Sequence, residues 1–537
     1  MGIPIIDLFA GPGGLGEGFS SIKDSNGNQV FDIKLSIEKD EHAHETLRLR
    51  SFYRQFSDND IPELYYDYIK ENDPKTQREL LKKLKKDYTE QWNNAELEAW
   101  RFELPFPEEF DKKGKKKGGY TTSEIIERNK EIDDRIYKAL QKGKEFLLIG
   151  GPPCQAYSLV GRARNQGMSN SDHRVHLYKE YLRIIAKHHP AIFVMENVKG
   201  LLSAKVDGKK VFDLIKVDLK NPKNVFPDYN SPNYKVFSFV KEPDEFDLDG
   251  FPIYYNDKEF LIKTERYGVP QRRHRVILLG IREDFYPGNI QPLIKRKNET
   301  TLIQVIGSFP EIRSGIGREI CGTNEKGKNI YQNIKNSYAN WTNAILYYMK
   351  KLDSQLTEIF GDLMVSNNQG ANFYECQLNE KNNPIYKEWY KDDRLNGILN
   401  HESRTHLRED LGRYLFSSLY LKAYGDFPRL KDYPEWLLPK HKNARKGDKF
   451  ADRFRTQKPN QAATTVTSHI SKDGHYFIHY DPSQCRSLTV REAARIQTFP
   501  DNYYFCGSRT HQYHQVGNAV PPYLAKQIAE SVLKIFK

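Results

Sequence analysis

Residues 146–155 read Phe146-Leu147-Leu148-Ile149-Gly150-Gly151-Pro152-Pro153-Cys154-Gln155. Four apolar residues followed at once by two glycines and two prolines predict a buried strand that stops at a rigid turn, with one cysteine just past its carboxyl end. Forty-two residues beyond Cys154, a second apolar run, Ile192-Phe193-Val194-Met195, ends in Glu196-Asn197-Val198 and sets a carboxylate at the end of another strand. In open α/β sheets, ligands sit in the crevice outside the carboxyl ends of the strands, so Cys154 and Glu196 are expected to face one pocket. A thiolate nucleophile beside a proton-donating carboxyl group is the chemistry that such a pair suggests.

Working outward, the chain opens as strand, glycine loop, helix and strand: Pro4-Ile5-Ile6-Asp7-Leu8-Phe9, then Gly11-Pro12-Gly13-Gly14-Leu15-Gly16, then Phe31 to Glu38. That is the start of a doubly wound sheet. The loop fits G-x-G-x-x-G, and Glu38 stands 22 residues beyond Gly16. Dinucleotides and S-adenosylmethionine both use such an arrangement, a helix amino terminus for an anionic group and an acid for ribose hydroxyls. The glycines alone do not choose between them. Three further patterns do: Pro152-Pro153-Cys154-Gln155, Glu196-Asn197-Val198, and Gln271-x-Arg273-x-Arg275 before the strand Val276 to Ile281. A dehydrogenase has no need of all three.

Bulk properties narrow the class. A chain of 537 residues suggests two or three units. Its five cysteines lie far apart without paired or clustered ligands, so neither a zinc site nor a disulfide framework is expected and a reduced, intracellular setting is. No basic leader precedes the first strand and no apolar run is long enough to span a bilayer, so neither secretion nor membrane insertion is expected. The net charge of +12 suits a polyanionic partner but is common among soluble proteins.

With these motifs in hand, the chain resembles the DNA (cytosine-5) methyltransferase family over its first 60 residues, about 145–285 and about 455–537. The motifs stand in the family's order. Asp7-Leu8-Phe9-Ala10-Gly11-Pro12-Gly13-Gly14 is similar to its cofactor loop, Glu38 to its ribose-binding acid and Asp60-Ile61 to its adenine-contacting pair. Arg486 to Arg495 and Gln515-Val516-Gly517-Asn518-Ala519-Val520-Pro521-Pro522 are similar to its two closing motifs, the latter returning to the cofactor site. Thr264-Glu265-Arg266 departs from the family pattern, where Asn-Ala is common. The resemblance implies S-adenosylmethionine held by Phe9, Gly11, Gly13, Gly14, Glu38, Asp60 and Asn518, catalysis by Cys154, Glu196, Arg273 and Arg275, and no metal.

The implied fold is a class I S-adenosylmethionine-dependent methyltransferase (Rossmann-like) α/β sheet. Its expected parts are 1–61, the cofactor half; 62–145, a helical insertion; 146–289, the active-site half; 290–475, an irregular target-recognition domain; and 476–537, a return to the catalytic domain. In the insertion, Leu80, Leu84 and Tyr88 share helical spacing. Thr121 and Glu124 form a capping box before the stripe Ile125, Ile132, Ile136 and Leu140, with Gly143 as the stop. Leu524, Ile528, Val532 and Ile535 mark one face of the last helix.

The chemistry is consistent with the residues. Cytosine carbon 5 is a poor nucleophile, so a thiolate must first add at carbon 6 to make an enamine that attacks a sulfonium methyl group. Cys154 is the expected thiolate, activated by a cation such as Arg273 or Arg275, because a free thiol is only a few per cent ionised at neutral pH. A protonated Glu196 at nitrogen 3 relieves the ring charge, a role that needs a carboxyl pKa raised by burial. Arg273 and Arg275 are expected to hold the carbonyl oxygen and a nearby phosphate, and Asn197 to support the loop. Double-stranded DNA is then the partner, with the base flipped out of the helix, and a cognate restriction endonuclease acting on the same site is a second expected partner. Localisation is expected to be cytoplasmic, in a bacterium. Arg453, Arg455 and Lys458 are candidates for DNA contacts. An RNA cytosine methyltransferase of similar architecture, or a DNA-binding pseudoenzyme, fits the same motifs; comparing methyl transfer to duplex DNA and to transfer RNA separates the first, and an intact Cys154 and Glu196 argues against the second.

Overall fold

The computed structural model describes residues 2–57, 59–111, 114–140, 145–152, 173–206, 208–325, 328–360, 366–439 and 451–536. Its centre is an eight-stranded sheet. Strand β1 (Ile3–Leu8) has β2 (Phe31–Glu38) and β3 (Ala99–Arg101) on one side and β4 (Leu147–Gly150) and β5 (Ile192–Val198) on the other, all parallel. Strands β6 (Tyr234–Ser238) and β7 (Leu261–Lys263) both pair antiparallel with β8 (His274–Arg282), which itself runs antiparallel to β5. The order is β6-β8-β5-β4-β1-β2-β3, so strand order switches at β1 and one reversed strand separates the parallel β5 and β6. The crevice beyond the carboxyl ends of β1 and β4 is therefore where a ligand belongs.

Both faces of this sheet are covered, which is why its strands read as unbroken apolar runs. Leu148 of β4 points into a core built with α7 (His173–His188) and α8 (Val211–Lys220), which contribute Tyr181, Leu182, Phe212 and Ile215. Its neighbours Leu147 and Ile149 face the opposite core, where Leu524, Ile528, Val532 and Ile535 of α13 (Pro522–Phe536) lie as one stripe, as the spacing predicted.

The segment between β2 and β4 begins with α2 (Glu41–Arg54) and continues through α3 (Glu63–Lys70), α4 (Pro74–Asp87) and α5 (Thr89–Glu98), with Leu84 wholly buried. It then supplies β3 to the central sheet, a three-residue strand too short to show any alternation. In α6 (Thr122–Leu140) the Thr121 amide donates to Glu124 Oε2 at 2.7 Å, and Ile132 and Ile136 are fully buried. Gly143 lies outside the described residues.

Beyond β8 the chain builds a second core. Trp341 and Tyr348 of α9 (Tyr338–Met349) pack on Leu411, Tyr414 and Leu415 of α10 (Arg408–Tyr424), and the Trp341 indole donates to Ser314 Oγ at 2.9 Å. Around it lie β9 (Gly315–Thr323), β10 (Asn329–Asn333) and β13 (Thr405–Leu407) in one small sheet, and the hairpin of β11 (Gly370–Glu375) and β12 (Gly397–Glu402). Helices α11 (Val490–Ile496) and α12 (Arg509–Asn518) share a further core with Leu302, Val305 and Trp389, so the closing motifs pack against both parts of the chain.

Candidate active site

The glycine loop follows β1 with Phe9, Gly11 and Gly13 all at positive φ, 58°, 59° and 99°. That left-handed path is strained for Phe9 and natural for the glycines. The Gly11 amide donates to Glu38 Oε2 at 2.8 Å and the Asp40 amide to Glu38 Oε1 at 2.7 Å, so two backbone donors fix the acid at the end of β2. Burial pushes the Glu38 carboxyl above its usual range against those two bonds. Open space lies where a side chain at Gly11 would point, whereas a Cβ on Gly14 would stand 2.4 Å from the Val520 carbonyl. Gly14 thus serves the packing of the closing motif on the loop, and Tyr503 Oη donates to the Pro12 carbonyl in the same contact.

Among the described residues, Asp60 makes no hydrogen bond or ion pair with Glu38 or the glycine loop. It lies in the turn after α2, where its amide donates to the Ser57 carbonyl and its carboxylate accepts from Ser57 Oγ. The place beside β2 belongs to β3, and the Phe102 amide donates to the Glu38 carbonyl at 3.0 Å. Trp100 and Phe102 stack there with ring centroids 4.0 Å apart, both half-buried. These aromatics carried no signal in the sequence, where they follow directly on a helical stretch.

The second half of the site is made by β4, β5 and β8. Antiparallel pairing sets Ile277 opposite Glu196 and Arg275 opposite Val198, so Arg275 stands two residues along β8 on the Glu196 side. Its guanidinium spans that diagonal, with Nε 2.6 Å from Glu196 Oε1. A Cβ on Gly151 would lie 2.9 Å from Glu196 Oε2, so the carboxylate rests against the glycine turn that leads through Pro152 toward Cys154. Cys154 itself, with the whole of 153–172, lies outside the described residues. Asn197 is buried and its Oδ1 accepts from the Val198 amide at 2.8 Å.

Arg273 takes a different place from the one expected of it. Fully buried, it donates from Nη1 to the Val466 carbonyl at 2.6 Å and from Nη2 to the Asn518 carbonyl at 3.4 Å. Burial, reinforced by repulsion from Arg275, holds its pKa well below the ordinary arginine range. Its Nε has no partner among the described residues. Arg275 therefore joins Glu196, while Arg273 ties the Gln271 turn to the closing motifs. Asn518 reaches the site through its backbone carbonyl. The unusual Thr264 explains itself here: wholly buried, its hydroxyl donates to the Gln271 carbonyl at 2.7 Å and accepts from the Arg273 amide at 3.0 Å.

A cleft of about 1070 Å³ opens from Arg275, lined by Lys199, Lys258, Lys263, Arg266 and Lys295 among others. None of these five cations has an ion pair among the described residues. Asp257, the one acid among the residues lining it, is held by Lys210 at 3.1 Å and Lys216 at 2.8 Å. By contrast Arg453 pairs with Asp473, Arg455 with Asp452 and Lys458 with Asp426. Among the described residues no group of three or more potential metal ligands occurs, and no helix is long and apolar enough to cross a membrane.

The sheet order with its reversed strand and the glycine loop bound to an acid at the end of β2 define a class I methyltransferase fold. The family profile described as C-5 cytosine-specific DNA methylase matches residues 93–222 and 243–534. Type II methyltransferase M.Bpa9945I of Bacillus paralicheniformis is 32% identical over 543 residues, covering 98% of each chain. Type II methyltransferase M.DdeI of Desulfomicrobium norvegicum is 28% identical and M1.HphI of Haemophilus parahaemolyticus 26%, covering 73% and 75% of this chain and 73% and 72% of their own. The chain belongs to the C-5 cytosine-specific DNA methylase family and is a DNA (cytosine-5)-methyltransferase of the type II modification kind.

Proposed function

We propose that this enzyme methylates carbon 5 of a cytosine within one short sequence of duplex DNA, through a covalent adduct to Cys154, as the modification half of a restriction system whose endonuclease reads the same site. One observation carries the reading: Glu196, gripped by Arg275 at 2.6 Å, packs on Gly151, which stands three residues before Cys154 in the sequence. The fold and the loop support S-adenosylmethionine as the cofactor: Glu38, bound to the Gly11 amide, would accept from ribose hydroxyls, and the open space at Gly11 favours close approach. When bound, that molecule supplies an activated methyl group.

The chain's own residues do the rest. The Cys154 thiolate adds to carbon 6 of a cytosine flipped from the helix, and Glu196 hydrogen-bonds nitrogen 3, drawing off the charge that addition creates. Arg275 holds Glu196 in place and presents its remaining donors to the base carbonyl. After carbon 5 is methylated its proton leaves to water, and the thiolate is expelled. Region 290–475 reads the target, while the cations at the cleft hold phosphates. Mapping 5-methylcytosine at base resolution in a mixed-sequence plasmid tests this: a single recurring motif is expected, and methylation of transfer RNA with none in the plasmid would overturn it.

Two consequences can be measured directly. Glu38→Ala should weaken S-adenosylmethionine binding by about 1.5–3 kcal/mol, roughly ten- to 150-fold, the worth of hydrogen bonds to a charged group. Unchanged affinity by calorimetry would remove Glu38 from the ribose. Lys263→Gln should flatten the slope of log DNA affinity against log salt by about 0.9, whatever the sequence, as loss of one phosphate contact does. The same change at Lys458, already paired with Asp426 at 3.1 Å, should leave the slope as it was.

A further inference from the structure

The hairpin of β11 and β12 has only two strands, a pair that alone is marginal in water; Arg491 of α11 donates to the Leu399 carbonyl of β12 at 2.9 Å, and the Phe505 amide donates to Asn400 Oδ1 at 3.1 Å. The hairpin's outer edge is completed by a side chain. Asn72, in the turn between α3 and α4, donates from Nδ2 to the Phe373 carbonyl at 3.0 Å and accepts the Phe373 amide on Oδ1 at 2.8 Å. The amide thereby makes both bonds that a third strand would make at that residue. In the same turn the Glu71 carbonyl accepts from Asn372 Nδ2 of β11 at 3.0 Å, and Arg394, between β11 and β12, bridges the Ile61 carbonyl and Glu63, each at 2.7 Å. Tyr66 Oη donates to Asp392 at 2.7 Å, and Leu395 and Leu399 enter the core formed by Ile61, Tyr65 and Ile69.

The other end of these helices is rooted in the catalytic sheet. Residue 98 closes α5 and residue 99 opens β3, which lies against β2 and the end that carries Glu38. The path from the hairpin to the cofactor edge is therefore continuous packed structure. We propose that α3–α5 form an intramolecular brace that fixes the β11–β12 hairpin, and with it the target-reading region, at one orientation over the active site, without touching DNA. This rests on the reading of 290–475 as the part that recognises the target.

The test is the full-length Asn72→Ala/Arg394→Ala variant, assayed for methylation of cognate duplex and of duplexes with one base pair changed. The expected result is a KM for DNA raised roughly three- to thirty-fold, the range of coupling through packed networks, with weaker discrimination and unchanged kcat and S-adenosylmethionine affinity. A loss confined to kcat, to the active fraction or to melting temperature would mark the contacts as merely structural and overturn the brace. Should that variant not fold, Lys82→Gln/Lys83→Gln/Lys86→Gln on the exposed side of α4 decides: an unchanged salt slope supports the brace, and a flattened one means the helices bind DNA themselves. A wild-type enzyme that methylates no DNA would instead sink the proposed function.

Discussion

Replacing Cys154 with serine should abolish methyl transfer, lowering the rate by roughly four to six orders of magnitude, the scale seen when a covalent nucleophile is removed. Binding of duplex DNA and S-adenosylmethionine should persist, because neither depends on thiolate addition. A serine hydroxyl is far less acidic than a thiol, so at neutral pH it supplies almost no anionic nucleophile. Single-turnover assays with saturating DNA separate binding from chemistry. Turnover at the wild-type rate would remove Cys154 from the mechanism.

The largest effect on stability is expected at Glu492. Arg486 grips it with two bonds of 2.7 Å at the mouth of α11, where both side chains are fully buried, and Glu492 also accepts the Thr489 amide at 2.7 Å. The Arg486 guanidinium holds the Glu492 carboxyl well below its ordinary range. Glu492→Ala leaves that guanidinium buried and unpaired, which costs about 3–5 kcal/mol. Urea unfolding should show the loss in the midpoint, and a change under about 1 kcal/mol, the worth of an exposed pair, would contradict the account.

The same cluster gives a pH dependence of known sign. Burial pulls the His401 pKa down to about 3 and that of His479 to about 4, from an ordinary 6.5. Both bind protons more readily when unfolded, so stability falls as pH drops below about 6.5. The depressed Glu492 acts in the same direction, its contribution declining as pH falls below 4.5.

Much of the fold was legible because burial on both faces writes itself as apolar runs. β4, β5 and β8 were read from four to six such residues each, and α13 from its single stripe. Short β3 was not, since three residues among helices show no period. Of the candidate site, the structure pairs Arg275 with Glu196 and binds Glu38 to the Gly11 amide of the glycine loop. Arg273 could not be separated from Arg275 by sequence, because the difference lies in register: Arg275 is on β8 facing β5, and Arg273 precedes the strand and turns toward carbonyls contributed 193 and 245 residues later. The Asp60-Ile61 match is only two residues long, and the strand beside β2 comes later, at residue 99, after the intervening helices. The bonds between Asn72 and Phe373 join positions 301 residues apart, beyond any local pattern.

The central claim is that catalysis proceeds through a bond between Cys154 and carbon 6 of the target cytosine. Duplex DNA carrying 5-fluorocytosine at the methylated position, incubated with the enzyme and S-adenosylmethionine, tests it most directly, because fluorine at carbon 5 cannot leave as a proton and the adduct is trapped. The account predicts a complex that survives denaturing electrophoresis, with the modified nucleotide mapped by mass spectrometry to Cys154 and no such complex from Cys154→Ser. Methylation of ordinary DNA with no trapped adduct, or an adduct on another residue, would contradict it.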